Sequence, residues 1–409
     1  MTAPARLDPP VYLDNAATTR PSARVVEAMT RAHRDQFGNP SSAHSFGPGP
    51  KALLQDAREF LRGTLGAAQL VFTSGGSEAD HLGIVGSAMA RSPGRVLMAE
   101  SDHPAILACA PLLGRFRHHV TALPVTAYGD LDPERLFAAL GNDVRTVALL
   151  HGHNELGTLS QLDELVSLVR RAAPDAHVHV DLVQTYGKLP FDLDAMDVDS
   201  VAVSGHKFHG PRGAGFLALS SKARVEPWMK AGGQEHGLRG GTENLAGAVG
   251  LQVAAEDALL HQAATERHTR ALCEHVAAAL QDALPGTERL GHPERRLPHV
   301  LSLRIPGVNG ETLMLRCSER GVAFSTGSAC HGADDHADAP APRGRDRDRD
   351  KPDNHVLAAI GMDRRTAREV VRLSFCGDTT AAEVEAATAV VVEEARALRE
   401  QAPRPRARR

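Results

Sequence analysis

The 409-residue chain is 42% hydrophobic and 23% charged, enough apolar material to bury a large core and build two domains. Its formal net charge of -4 implies no nucleic-acid or membrane surface from bulk electrostatics. The five cysteines (Cys109, Cys273, Cys317, Cys330 and Cys376) are scattered and form no CxxC pair, which argues against a disulfide scaffold or structural zinc and fits a reducing cytoplasm.

In chain order, residues 1–10 are Pro-rich and lack the apolar core of a signal peptide, and no later stretch approaches the ~20 apolar residues of a membrane span. Helical patterns at 22–34 and 51–63 alternate with short apolar runs at 95–98, 146–150 and 177–181. That alternation predicts an α/β fold, a mostly parallel sheet with helices on both faces. An Ala-rich helical stretch at 243–284 carries little strand signal, and strand candidates return at 300–305 and 370–375, marking a second domain. Residues 381–399 read as a last amphipathic helix. The expected division is an arm at 1–20 packing with the small domain, a large domain at 21–258, a small domain at 259–400 and a basic, disordered tail at 401–409.

Four motifs carry chemistry. Residues 71–78 read as strand, Gly-rich turn and helix start, which presents backbone N–H groups and hydroxyls around Gly76 and Ser77 to a phosphate; the same residues also read as a plain turn. Residues 177–181 read as a strand ending in Asp181, with Gln184 three residues on. A carboxylate so placed can pair with a protonated pyridine nitrogen and make the ring an electron sink, and a nearby Gln can donate to its phenolic oxygen. Lys207 follows an apolar run within Ser204-Gly205-His206-Lys207-Phe208-His209-Gly210-Pro211. Only six of the 46 Lys and Arg residues are lysine, and arginine cannot form an imine, so a lysine kept at a strand end points to a need for its amine rather than to a surface turn. Cys330 follows Gly327-Ser328-Ala329 and precedes a polar stretch, a setting for a nucleophilic thiolate more than for a small buried residue.

These motifs, with those at 12–19, 38–44, 102–103, 154–157, 237–244 and 325–330, resemble the cysteine desulfurases of the NifS/IscS type and the related selenocysteine lyases. Both belong to the class V aminotransferase group of fold-type I pyridoxal phosphate enzymes, and the resemblance covers nearly the whole chain. It implies a large domain around a mostly parallel seven-stranded sheet, a smaller α/β domain and a homodimer. It implies pyridoxal 5'-phosphate on Lys207, contacted by Gly76, Ser77, His103, Asp181, Gln184, Ser204 and His206, with Thr242 reaching the partner subunit's cofactor phosphate. Asn154 and Arg372 would bind the substrate carboxylate, and His103 would stack on the ring and assist proton transfer. Lys207 would remove the Cα proton of L-cysteine, and Cys330 would take its sulfur as a persulfide, release alanine and serve a sulfur-acceptor or scaffold protein, as in iron–sulfur cluster assembly. No resident metal is implied.

Other readings stand beside these. His103 suits a cap for the helix after Pro104, Arg372 an edge ion pair, and Thr242 an N-cap ahead of Glu243. The Cys330-His331 step resembles selenocysteine lyases, and an aminotransferase or epimerase of the same group would not need Cys330. A silent scaffold is opposed by the joint presence of Lys207, Asp181, Gln184 and His103. The chain departs from the family pattern at Phe375-Cys376-Gly377, where Leu-Gly-Arg is usual, at His153, where Asn is commoner, and at His209, where an aromatic is usual. It also carries an insertion at 331–353 whose alternating charges predict a solvated, flexible loop. His331, Asp334, Asp335, His336 and Asp338 in that insertion are metal-ligand types, but no spacing matches a closed site.

Overall fold

The computed structural model describes residues 6–326 and 354–401. Residues 1–5, Cys330, the whole charged insertion at 331–353 and residues 402–409 lie outside the described residues. After β1 (Val11–Tyr12) come β2 (Gln69–Thr73), β3 (Arg95–Ala99), β4 (His119–Leu123), β5 (Val144–Leu150), β6 (His177–Asp181), β7 (Ser200–Ser204) and β8 (Gly215–Leu219). The last seven form one sheet in the order β2-β8-β7-β6-β5-β3-β4. Only β8 runs antiparallel to its neighbours, so the expected mostly parallel seven-stranded sheet is present. Every residue of β6 and β7 is buried, as strands covered by helices on both faces require. The helix Ala23–Asp35 starts where the sequence placed it, with the Ser22 hydroxyl accepting the N–H of Val25 at 3.2 Å.

The helix Leu245–Ala283 links two cores. Leu245, Ala248, Leu251, Ala254 and Ala255 pack into the core of the large sheet, whereas Leu272, Cys273, Val276, Ala277 and Leu280 pack into a second one. The division expected at 258 therefore falls inside a continuous helix. Beyond it lie β9 (Glu288–Arg289), β10 (Val300–Arg304), β11 (Val322–Ala323), β12 (Ser325–Thr326) and β13 (Val370–Ser374). A four-stranded antiparallel sheet has the order β12-β13-β10-β9, and β1 pairs in parallel with β11. That pairing carries Val11 and Leu13 into the second core. The final helix, Ala381–Gln401, packs Val384, Ala387, Val390 and Val391 into it and takes in the first residue of the expected tail.

One buried ion pair fixes the end of β2. Arg58 makes a two-pronged contact with Glu235, Nη1 to Oε2 at 2.6 Å and Nη2 to Oε1 at 2.8 Å, and the N–H of Phe72 donates to the same Oε2 at 2.8 Å. The guanidinium lies 4.8 Å from the Phe72 ring centroid. Breaking one partner would strand a buried charge, so this contact holds the strand that enters the Gly-rich turn. Among the described residues no helix is long and apolar enough to cross a membrane.

Candidate active site

Gly76, Ser77, His103, Asn154, Asp181, Gln184, Ser204, His206 and Lys207 lie at or just beyond the C-terminal ends of the large sheet's strands, the edge where α/β sheets bind ligands. Arg372 comes instead from β13 of the other sheet, Thr242 from the loop before the long helix, and Cys330 lies outside the described residues. After β2 the chain turns through Gly75, whose φ of 155° and ψ of -174° suit glycine almost alone. Gly76 opens the helix Gly76–Met89; a Cβ there would stand 2.6 Å from Val183 Cγ2. The turn thus packs directly on the segment after β6, and Ser204 at the end of β7 lies under Gly75. Ser77 is exposed in the first turn of that helix, whose leading N–H groups have no intrahelical acceptor. Glu78 braces the turn, accepting from the Ser74 N–H at 2.6 Å and from Arg239 Nε at 3.1 Å.

Lys207 sits in the turn after β7, and its Nζ donates to the carbonyls of Ala16 and Ala17, both at 2.8 Å. Gln184 Nε2 donates to the same Ala16 carbonyl at 2.9 Å, while Gln184 Oε1 lies 3.3 Å from His299 Nε2. His206 is bonded to the Thr18 hydroxyl at 3.1 Å, so the 14–19 segment braces the whole lysine turn. Asp181 is 3% exposed and takes the Val183 N–H at 2.7 Å. Burial, and then the nearby Asp80 carboxyl, push its carboxyl up to about 8. Such a group gains by meeting a cation. Asp80 in turn is bonded to His179 at 3.1 Å, and Ser200 bridges His179 and His177 at 2.8 and 2.7 Å.

The structure decides three of the alternatives. His103 caps the helix Pro104–Leu107, its Nδ1 accepting the Ala105 N–H at 3.2 Å, which places the proton of the neutral ring on Nε2. The cap does not occupy Nε2. Arg372 is no edge residue: β13 lies between β12 and β10, and Arg372 is 4% exposed. It donates through Nη2 to Asp14 at 2.8 Å and through Nη1 to the Asn154 carbonyl at 3.1 Å, while its Nε is buried without a hydrogen-bond partner. Thr242 is exposed and does not cap the next helix; Asn244 does, its Oδ1 accepting the Gly247 N–H at 3.0 Å. The helix begins two residues later than a Thr242 cap requires.

Several residues here escaped the sequence reading. Lys188, half-buried beside Gln184, has its amine lowered to about 7 by desolvation and by the charge of Lys207, and donates to the Gln184 carbonyl at 3.2 Å. His299 and Asp80 reach the site from the turn just before β10 of the other sheet and from a helix interior, and no local pattern marks them. His209 and Cys376 read as separate departures, yet they meet. Burial alone would raise the Cys376 thiol, but hydrogen bonds with His209 and Thr379 outweigh it and hold the thiol below its ordinary value.

These shifts fix a pH profile. Burial lowers His153 to about 3 and His103, His151, His179 and His206 to about 4, and drives His177 and His299 down as well. It raises Asp80, Asp102 and Asp181 to about 8 and Glu155 to about 7. A depressed histidine contributes stability above its unfolded value, lost as pH falls towards the folded one. A raised carboxyl contributes stability at low pH, lost as pH rises through the folded value. Between pH 6 and 4 the seven histidines outnumber the four acids, so stability falls with acidification; between pH 7 and 8 the four acids outnumber the one opposing group, Lys188, whose lowered amine favours the fold as pH rises, so stability falls with alkalinisation. Denaturant midpoints of the protein at pH 5, 6.5 and 8 are expected to peak at 6.5; a midpoint at pH 8 equal to or above that at 6.5 would refute the assignment of the buried acids.

The Aminotransferase class-V family model matches residues 11–387. The cysteine desulfurase NifS of Azotobacter vinelandii is 36% identical over 382 residues, covering 92% of this chain and 90% of that protein. A solved NifS-like protein superposes with a TM-score of 0.83 at 31% identity, covering 94% of this chain and 98% of the other. SspA, solved in complex with cysteine, superposes with a TM-score of 0.74 at 28% identity over 89% of this chain and 98% of that one. With the strand-end lysine, the buried carboxyl and the Gly-rich turn assembled on one sheet edge, the chain belongs to the class-V aminotransferase family.

Proposed function

We propose that the chain is a pyridoxal 5'-phosphate-dependent cysteine desulfurase that converts L-cysteine to L-alanine and passes the sulfur to Cys330 as a persulfide. The observation that carries this reading is the convergence of Lys207 and Gln184 on the Ala16 carbonyl, beside Asp181 at the end of the neighbouring strand. The names of the relatives support the choice of cysteine.

The residues present fit the cofactor. The Gly76–Ser77 helix start suits its phosphate, with Ser204 and His206 alongside; the raised Asp181 suits a protonated ring nitrogen; and a Gln184 N–H suits its phenolic oxygen. Once bound it supplies an electron sink for the pair released at the substrate Cα. Lys207 attaches it and afterwards carries the Cα proton. The unpartnered Nε–H of Arg372, next to Asn154, takes the substrate carboxylate. His103 stays neutral across the physiological range, because burial and the charge of Lys207 lower it to about 4, and presents its Nε2–H towards proton transfer. The Cys330 thiolate forms an S–S bond to the substrate sulfur as the C–S bond breaks, and the carbon is protonated to alanine.

The proposed enzyme works as a cytoplasmic homodimer, with Thr242 reaching the partner subunit's site, and hands its sulfur to an acceptor or scaffold protein. The test is Cys330→Ala. The variant is expected to keep the bound cofactor and its spectral response to L-cysteine, and to lose alanine and sulfide production. Unchanged desulfuration would refute the persulfide step and favour another class V chemistry. Full selenocysteine turnover by the variant, with little wild-type activity on cysteine, would move the assignment to selenocysteine lyase.

A further inference from the structure

His209 and Cys376, both departures from the family pattern, come together from the two different sheets. His209 follows the lysine turn of the large sheet, and Cys376 and Asp378 follow β13 of the four-stranded sheet. A ring nitrogen of His209, Cys376 Sγ and a carboxylate oxygen of Asp378 all lie within 4.8 Å of one another.

His209 and Cys376 are held from behind. His209 Nδ1 is bonded to the Arg20 carbonyl at 2.9 Å; a carbonyl only accepts, so Nδ1 carries the proton and Nε2 is the nitrogen left to face the Cys376 thiol. An imidazole aligned by a carbonyl on its far nitrogen is the usual arrangement of a metal-binding histidine. Its backbone is fixed at φ 65°, sparsely populated for a residue with a side chain, by an N–H bond to the Thr19 hydroxyl at 2.7 Å and by the Ser22 N–H on its carbonyl at 3.1 Å. The Cys376 N–H donates to Thr379 Oγ1 at 3.1 Å, and the Thr379 carbonyl is bonded to His268 at 2.7 Å. Asp378 is exposed, so a third ligand can rotate in from solvent. All three line a cavity of about 570 Å³ that Lys207 and Lys188 also line.

We propose that His209, Cys376 and Asp378 bind one divalent transition-metal ion of the zinc class, with a fourth coordination position open to the cavity. A thiolate, an imidazole and a carboxylate are the donor set of a borderline-soft tetrahedral ion. Ligand bonds of about 2.0–2.3 Å put tetrahedral ligand atoms roughly 3.3–3.8 Å apart, so closure needs a movement of about 1 Å, within reach of the exposed Asp378 side chain. The ion would staple the Lys207 turn to the loop after the Arg372 strand. This site does not depend on the desulfurase reading.

The full-length, cofactor-loaded protein, first stripped with a chelator, is titrated with Zn²⁺ and the retained metal counted after gel filtration; Co²⁺ then reports thiolate ligation by its charge-transfer band. One equivalent is expected to be lost in Cys376→Ser, and Asp378→Asn is expected to bind at least about 10-fold more weakly, while Cys330→Ala binds as the wild type. Asp378 is exposed, so its variant tests the site without disturbing the fold. Absence of retained metal in the wild type, unchanged binding in Cys376→Ser and Asp378→Asn, or loss of the cobalt band in Cys330→Ala instead would each overturn the proposal.

Discussion

Lys207→Ala is expected to lower L-cysteine desulfuration by about 10⁴-fold, the upper range for removing a positioned acid–base group, because the same amine attaches the cofactor and moves the Cα proton. Lys207→Arg should fare no better, since a guanidinium neither forms an imine nor gives up its proton at usable pH. The rival amine is Lys188. Its amine is lowered to about 7, so its reactivity alone would suit the role. Its geometry does not: Lys188 Nζ is bonded to the Gln184 carbonyl, whereas Lys207 Nζ lies on Ala16 and Ala17 in the turn next to His206. Borohydride reduction followed by peptide mapping should therefore fix the pyridoxyl group on Lys207. A label on Lys188, or near-normal turnover by Lys207→Ala, would sink the assignment.

Asp181→Asn is expected to cost about 10³-fold in kcat/KM, the size of effect produced by removing one preorganised charge from a water-excluded site. The substitution leaves the fold intact, since an Asn carbonyl can still accept the Val183 N–H that Asp181 Oδ1 accepts at 2.7 Å. What it removes is the ability to become an anion. With no cation opposite, burial and Asp80 keep the Asp181 carboxyl largely neutral at pH 7. A protonated ring nitrogen would pull it back to the carboxylate, and the asparagine can make no such response. The variant should still bind the cofactor through the Gly76–Ser77 helix start, so absorbance will separate loss of chemistry from loss of binding. Activity within about 10-fold of wild type would show that Asp181 plays no part in holding the ring cationic.

From local pattern alone came the long helices, most of the large sheet's strands and the order of the motifs along them, but not β4 (His119–Leu123) or β8 (Gly215–Leu219). Hydrophobic period and the Ala-rich run at 243–284 rest on neighbours a few residues apart, so local pattern was sufficient for the helices Ala23–Asp35 and Leu245–Ala283 and for β6. Asp181 and Lys207 were legible for the same reason: each ends or follows a buried strand, and such ends carry the site of an open parallel sheet. Caps were harder, because Thr242 and Asn244 are both good N-caps and only the backbone path chose Asn244.

Tertiary structure alone decided what those residues touch. Ala16 and Ala17 meet Lys207 through backbone carbonyls, which any residue supplies, so no side-chain pattern announces the contact. Arg372, expected to bind the substrate carboxylate, had an edge ion pair as its alternative until the order β12-β13-β10 placed it inside a sheet, where burial leaves its Nε wanting an anion. The pairing of His209 with Cys376, 167 positions apart, exists only because two separately packed cores close on one another, and the burial that makes their chemistry follows from that closure.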